Sequence, residues 1–236
     1  MMKLSKRLDT VVSMVTKGNS VADVGCDHGF VPIKLVESGI APYAFALDVR
    51  KGPLERASEH IKEHGLSEKI TTRLSDGLEK LSLNEADSLV MSGIGGILMM
   101  RLLKNGEEVA KTFKEMILSP QSEIEDVRRY LVENGYSIKY EHVLCDEEKY
   151  YFIFYVIVKQ DERKWTDEEF CYGKDICEKD TDVFLAYLEK EEKQCCQILE
   201  KMEQVEESDR SRQRIEQIRA KIVCIKNRRQ MVEEKG

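Results

Sequence analysis

Apolar residues recur along this chain with two spacings, and the change from one to the other divides it. Up to about residue 134, short apolar runs alternate with stretches whose apolar positions fall three and four apart, the pattern of strands joined by crossover helices. The runs predict strands at Ser20–Val24, Tyr43–Leu47, Ile70–Leu74, Ser88–Met91 and Met116–Leu118. The helical stretches are an N-terminal one over Met1–Val15, then Phe30–Glu37, Pro53–His64, Gly96–Lys104 and Glu123–Asn134. Pro53 suits a helix start, where its missing N–H has no partner to lose, and Gly135 suits the residue after a helix end. Tyr136–Cys145 and Tyr150–Val158 then read as two strands around a tight turn at Asp146–Lys149. Such a hairpin puts one antiparallel strand into an otherwise parallel sheet of seven.

Beyond Gln160 the strand signal ends. Phe184, Leu188, Cys195, Ile198, Met202 and Val205 take the a and d positions of one helix. Ile215, Ile218, Ile222, Ile225 and Val232 take those of another, with Ser208-Asp209 as break and cap. This predicts an antiparallel, coiled-coil-like helical hairpin whose seam Glu191 loosens. On a prior of about 150 residues per domain, the 236-residue chain holds one α/β domain, 1–160, and a smaller helical one, 161–236.

Composition narrows the class. With 34% charged residues and no apolar run near the roughly 20 residues that span a bilayer, no membrane role is indicated. Asp9 interrupts the N-terminal segment and no cleavage site follows it, so the expected location is the cytoplasm. Seven cysteines without a C-x-x-C pair read as reduced thiols. His60, His64 and His142 lack ligand spacing, so no metal is expected, and the chain is read as a monomer.

The chemistry starts at residues 21–31, VADVGCDHGFV, where a strand runs into a turn with glycines at 25 and 29. Gly25 supplies a backbone angle that side chains resist, and Gly29 lets the next helix start close to the sheet. This is the first turn of a Rossmann-like nucleotide site, but its charge is wrong for a pyrophosphate. Asp27 stands where a dinucleotide loop has a middle glycine, and it would oppose another anion. S-adenosylmethionine carries a sulfonium, an ammonium and no phosphate, so Asp23 and Asp27 fit it better. Asp48, at the end of the second strand, is placed to accept from two ribose hydroxyls, or else to cap the helix before Gly52-Pro53. Asp76 with Gly77 can hold the adenine amine, or form a plain turn. Ser92–Gly96 has three glycines where a strand-to-helix turn needs one, which favours a backbone held open for a flat ring. His28 is either a loop-orienting or substrate-contacting residue, or a structural one.

With these motifs placed, the chain resembles the bacterial tRNA (adenine-22-N1)-methyltransferases, a class I methyltransferase family. The likeness rests on LSKRLDTVVSMV, ADVGCDHGFVPI, ALDVRKGPLERA, Asp76-Gly77, the S-G-I-G-G turn, and Leu118-Ser-Pro-Gln121 before a helix with VRRYL. It covers about the first 158 residues. It implies S-adenosylmethionine as cofactor, tRNA as partner, and methylation of N1 of a D-arm adenine by direct in-line transfer. Asp23, Gly25, Asp27, Gly29, Asp48, Asp76, Gly77 and Ser92 would bind the cofactor, with Asp27, His28, Ser92 and Gly93 at the reacting centre. Many members have Gln-Pro-Asn where this chain has Ser119-Pro120-Gln121, and Gln121 then has to reach the base from a shifted position.

The net charge of −7 speaks against nucleic acid, but its distribution does not. Arg210 to Gln230 holds eight basic residues against the single acid Glu216. Arg212, Arg214, Arg219, Lys221, Lys226 and Arg228 are candidate phosphate contacts. They can equally pair across the hairpin, where Glu192 and Glu206 are the notable matching acids. Alternatives to the RNA methyltransferase reading are methylation of a small molecule or protein, and a cofactor- or RNA-binding module without turnover.

Overall fold

The computed structural model describes residues 4–202 and 209–234. The chain divides into two compact units between Glu162 and Arg163. In chain order the first unit contains α1 (Lys6–Met14), β1 (Val21–Val24), α2 (Phe30–Glu37), β2 (Ala44–Asp48), α3 (Lys51–Glu63), β3 (Ile70–Leu74) and β4 (Ser88–Ile94). It continues with α4 (Gly96–Asn105), the single turn α5 (Glu107–Ala110), β5 (Glu115–Pro120), α6 (Ile124–Glu133), β6 (Ser137–Asp146) and β7 (Lys149–Ile157). The sheet order is β3-β2-β1-β4-β5-β7-β6. The first five strands are parallel, and β7 runs antiparallel between β5 and β6. The chain builds outward from β1 to β3, then returns to place β4 on the other side of β1. That reversal leaves a crevice beyond the carboxyl ends of β1 and β4, where open α/β sheets bind ligands.

β1 and β5 are buried along their whole length, and apart from Asp23 in β1 and Glu115 and Ser119 in β5 their residues are apolar. Three local differences from the sequence reading have physical causes. α3 begins at Lys51, so Pro53 is its third residue; the helix still has no partner for that N–H in its first turn. β4 runs past Met91 to Ile94 because β5 continues to pair with it, Ser92 beside Ser119 and Ile94 beside Pro120, with a bulge at Gly93. The β6–β7 turn has two residues, Glu147 and Glu148, at φ +48° and +63°. Both lie in the left-handed region that such a turn requires and that glutamate enters at a cost.

Two buried polar clusters fix the sheet's far edge and the first helix. Arg128 on α6 and Glu141 on β6 are both fully buried, 2.8 Å apart, with the guanidinium over the rings of Phe152 and Phe154. On β5, the Glu115 carboxylate accepts from the Thr16 N–H at 2.8 Å, the Ser88 hydroxyl at 2.7 Å and the Tyr155 hydroxyl at 2.6 Å. Burial alone would raise its proton affinity, but those hydrogen bonds outweigh it and hold the carboxyl below the usual glutamate range. The cluster pins the end of α1 to β4, β5 and β7, which matters below because α1 carries a residue of the site.

The second unit contains α7 (Asp167–Tyr172), α8 (Thr181–Met202) and α9 (Asp209–Glu233). Thr166 and Glu169 form a reciprocal capping box on α7, and Trp165 stacks on Phe170 at 5.2 Å. α8 and α9 are antiparallel: Arg228 lies over Phe184 at one end, and Lys221 meets Glu191 further along. Phe184, Leu188, Cys195, Ile218 and Ile225 are buried as expected from their heptad positions. Ile198 is not; it is 45% exposed. Glu191, at a seam position, pairs with Lys221 at 2.7 Å. Val205, Glu206 and Ser208 lie outside the described residues.

Candidate active site

The loop after β1 is tied down before it reaches any ligand. The N–H groups of Gly25 and Cys26 both donate to the Leu47 carbonyl, at 2.9 and 3.0 Å, so the turn is fastened to the end of β2. Gly25 sits at φ +79°, and a Cβ on it would stand 3.3 Å from Ile94. Asp27–Gly29 form one 3-10 turn leading into α2, with His28 at φ +65°. The His28 Nδ1 lies 3.0 Å from the Asp27 carboxylate, and Arg56 of α3 approaches the same oxygen at 3.3 Å. The His28, Phe30 and His60 rings stack, with centroids 5.3 to 5.8 Å apart. The His60 Nδ1 lies 2.9 Å from the His28 carbonyl oxygen. His28 is therefore held from both sides.

Two cavities meet at Gly25, of about 170 and 260 Å³. Together they fall within the roughly 300–1,000 Å³ of sites for small organic ligands. The smaller is lined by Arg7, Asp23, Asp27, His28, Phe30 and Ser92, among others. The larger is lined by Asp48, Val49, Asp76, Gly77, Leu98 and Leu102, among others. Asp23 and Asp48 are each 4% exposed. Burial, then repulsion from Asp48, pushes Asp23 up to about 7, and Arg7 opposes both. Asp48 accepts from the Arg50 N–H at 2.8 Å. Asp76 is partly exposed, with Arg101 at 3.7 Å. The Cys26 thiol is buried and pushed up by that burial and by Asp23, so it is no nucleophile.

At the end of β4, Gly93 has φ +85°. A Cβ there would stand 3.4 and 3.5 Å from the two terminal nitrogens of Arg7 and 3.7 Å from the Gln121 amide nitrogen. Gln121 thus does reach the turn from its shifted position, while Ser119 is buried beside Ser92 and its hydroxyl has no partner. Arg7 donates to the Ser92 hydroxyl and lies over the Tyr151 ring at 5.4 Å.

Of the residues named for the cofactor and the reacting centre, all line one of these two cavities except Gly29, which packs against Ala57, and Gly93, beside Ser92; Gly95, Gly96 and Gln121 line neither. Arg7 and Tyr151 were missed. Arg7 sits beside Lys6 at the start of an amphipathic helix, where a cation usually faces water, and Tyr151 is one of several strand aromatics.

The basic residues of α9 fare unequally. Arg212, Arg214, Arg219, Lys221 and Lys226 are exposed. Lys221 pairs with Glu191, and Lys226 approaches Glu192 at 3.6 Å. Arg228 is no phosphate contact: it is 3% exposed, donates to the Lys174 carbonyl at 3.0 Å and lies over Phe184. Its place in a basic stretch suggests an exposed cation, but α7 and the segment after it pack beside it.

Residues 4–154 match the family described as a methyltransferase domain. A tRNA (adenine(22)-N(1))-methyltransferase of Bacillus subtilis is 33% identical over 150 residues, 64% of this chain and 63% of that relative. Among solved structures, a Streptococcus pneumoniae protein in complex with S-adenosyl-L-methionine is 30% identical, with TM-score 0.83 over 95% of this chain and 99% of that one. Mycoplasma capricolum TrmK in complex with S-adenosyl-homocysteine is 25% identical, with TM-score 0.84 over 98% of this chain and 100% of that one. A strand order with one antiparallel member, a cofactor-sized acidic crevice and these matches give one conclusion: the chain belongs to the methyltransferase-domain family.

Proposed function

We propose that this protein methylates N1 of an adenine, position 22 in the D-arm of tRNA, with S-adenosylmethionine as methyl donor. The observation that carries the reading is that one cavity is lined both by the buried carboxylate of Asp23 and by Ser92 of the glycine turn. A cation site and a platform for a flat ring thus face each other across Gly25.

The residues present fit the cofactor. Asp48 suits the ribose hydroxyls, and Asp76 and Gly77 with Val49 and Leu98 suit the adenine. Asp23, Gly25 and Asp27 suit the cationic methionine end, with Gly29 supporting the loop. A side chain at Gly25 would close the passage between the two cavities toward Ile94. When bound, the cofactor supplies an electrophilic methyl group on a cationic sulfur.

The protein's share of the work is alignment. Adenine N1 attacks with a ring lone pair that carries no proton, so no general base is required, and His28 with Asp27 holds the loop's shape. Ser92, Gly93 and Gln121 are placed to set the plane of the base, and such positioning supplies up to about 7–11 kcal/mol of barrier reduction. N1 lies on the pairing edge, so the nucleotide has to leave its stack to enter. The exposed cations Arg212, Arg214 and Arg219 of α9 are proposed to meet tRNA phosphates.

Incubating unmodified tRNA with labelled cofactor and digesting the product to nucleosides tests this. N1-methyladenosine mapped to position 22 is the expected result. Labelled protein, a labelled small molecule, or cofactor binding without turnover would each replace the proposal.

A further inference from the structure

We infer that Arg7 occupies the seat of the target adenine in the free protein, and that on entry of the nucleotide its guanidinium moves to that nucleotide's phosphate. The inference rests on the RNA-methylating function proposed above.

The seat is defined by Ser92, Gly93, Gln121 and Tyr151. Gly93 keeps a space free of side-chain atoms, and the atoms found across that space are the terminal nitrogens of Arg7, 3.4 and 3.5 Å from where a Cβ would stand. The guanidinium imitates a purine edge there in two ways. It is a flat, delocalised group over an aromatic ring, Tyr151, as a stacked base would be. It donates an N–H to the Ser92 hydroxyl, as an adenine N6 amine would.

Arg7 cannot stay during the reaction. Transfer leaves a positive charge on the adenine ring, and a guanidinium in contact with that ring opposes it. Nor can α1 withdraw as a body, because Thr16 beyond its end is fixed by Glu115. The side chain alone moves. It is half-buried, and the ionisable groups that act on it there, Tyr151, Asp146 and Asp23, are all acids. The group of opposite sign that a flipped nucleotide brings is its own phosphate, which an arginine takes through two parallel N–H donors.

The prediction has two opposite signs, which a merely structural Arg7 would not give. Arg7→Ala should weaken tRNA binding about tenfold. Its slope of log K against log salt should fall by about 0.7–0.9, one phosphate contact. With the cofactor site saturated by S-adenosylhomocysteine, the same variant should bind free adenosine several-fold more tightly than the wild type, because the seat is empty and no phosphate is forgone. Arg7→Lys should keep the salt slope and lose part of the affinity. Arg7→Gln, which keeps a donor for Ser92 without the charge, should lose the slope like the alanine variant and serves if the alanine variant does not fold. A wild-type slope in both neutral variants, or no gain in adenosine binding by Arg7→Ala, would overturn the inference. A wild-type protein that methylates no tRNA would instead overturn the function on which it rests.

Discussion

Asp23 and Asp48 lie near the carboxyl ends of neighbouring parallel strands, both 4% exposed, and the charge on Asp48 helps hold a proton on Asp23 up to about pH 7. Two buried carboxylates with no buried cation of their own form a site that is uncomfortable until a cation arrives. The strain is useful because the proposed cofactor carries positive charge and no phosphate.

The first prediction follows from the sign of that shift. The folded protein holds the Asp23 proton more tightly than the unfolded chain, so this contribution to stability is full below about pH 3.8 and is lost as pH rises to about 7. The loss is roughly 4 kcal/mol at about 1.36 kcal/mol per unit. Asp23→Asn should therefore gain melting temperature relative to the wild type as pH is raised from 5 to 8, while binding the cofactor less well. Cofactor binding to the wild type should release a proton near pH 6, seen by calorimetry in buffers of different ionisation enthalpy. A pH-independent difference in melting temperature would show that Asp23 is already ionised in the free protein.

Asp48→Ala removes charge-assisted hydrogen bonds worth roughly 1.5–3 kcal/mol, so cofactor affinity should fall by about 10- to 150-fold with folding retained. Equilibrium binding of S-adenosylhomocysteine measures it. Unchanged affinity would take Asp48 out of the site and leave it its contacts with Arg50, from the N–H at 2.8 Å and the guanidinium at 3.6 Å.

Gly93→Val puts a β-branched residue at φ +85° and its side chain against Arg7 and Gln121. Methylation should be lost while cofactor affinity stays within a few-fold. Normal turnover would mean that the base lies elsewhere.

On α9 the structure separates cations that can be tested for RNA contact from one that cannot. Replacing Arg212, Arg214 and Arg219 by Glu should flatten the salt dependence of tRNA binding and raise KM for tRNA, with cofactor affinity unchanged. Arg228→Ala should do the reverse, lowering the melting temperature by the loss of its packing on Phe184 and its bond to Lys174, with the salt slope intact. If the triple variant melts early yet keeps the wild-type slope, those arginines serve the hairpin and not the RNA.

Glu141→Ala leaves Arg128 charged and buried without its partner, which should destabilise the first unit by about 3–5 kcal/mol in denaturant unfolding. A loss under about 1 kcal/mol would mean that water reaches Arg128 in the variant.

The sequence by itself determined the architecture of the first unit. Its strands are short apolar runs punctuated by Gly, Asp and Pro, and Ile70–Leu74 and Phe30–Glu37 fall where the spacing puts them. Periodicity and turn chemistry are local properties, so one chain suffices to read them. The cofactor side of the site was legible for the same reason: Asp23 and Asp48 lie in the last two residues of β1 and β2, Gly25 and Asp76 follow β1 and β3 within two residues, and a parallel sheet brings these strand ends to one edge. Tertiary structure alone decided what is far apart in the chain. Arg7 meets Ser92 across 85 residues because Glu115 fastens the end of its helix. Arg128 finds Glu141 inside the core. On α9 a heptad position tells which way a side chain points along one helix; it does not tell that α7 packs beside that helix and buries Arg228, while Arg212 and Arg219 remain exposed. Burial is set by every element that packs against a residue, and that sum is not written in any one stretch of sequence.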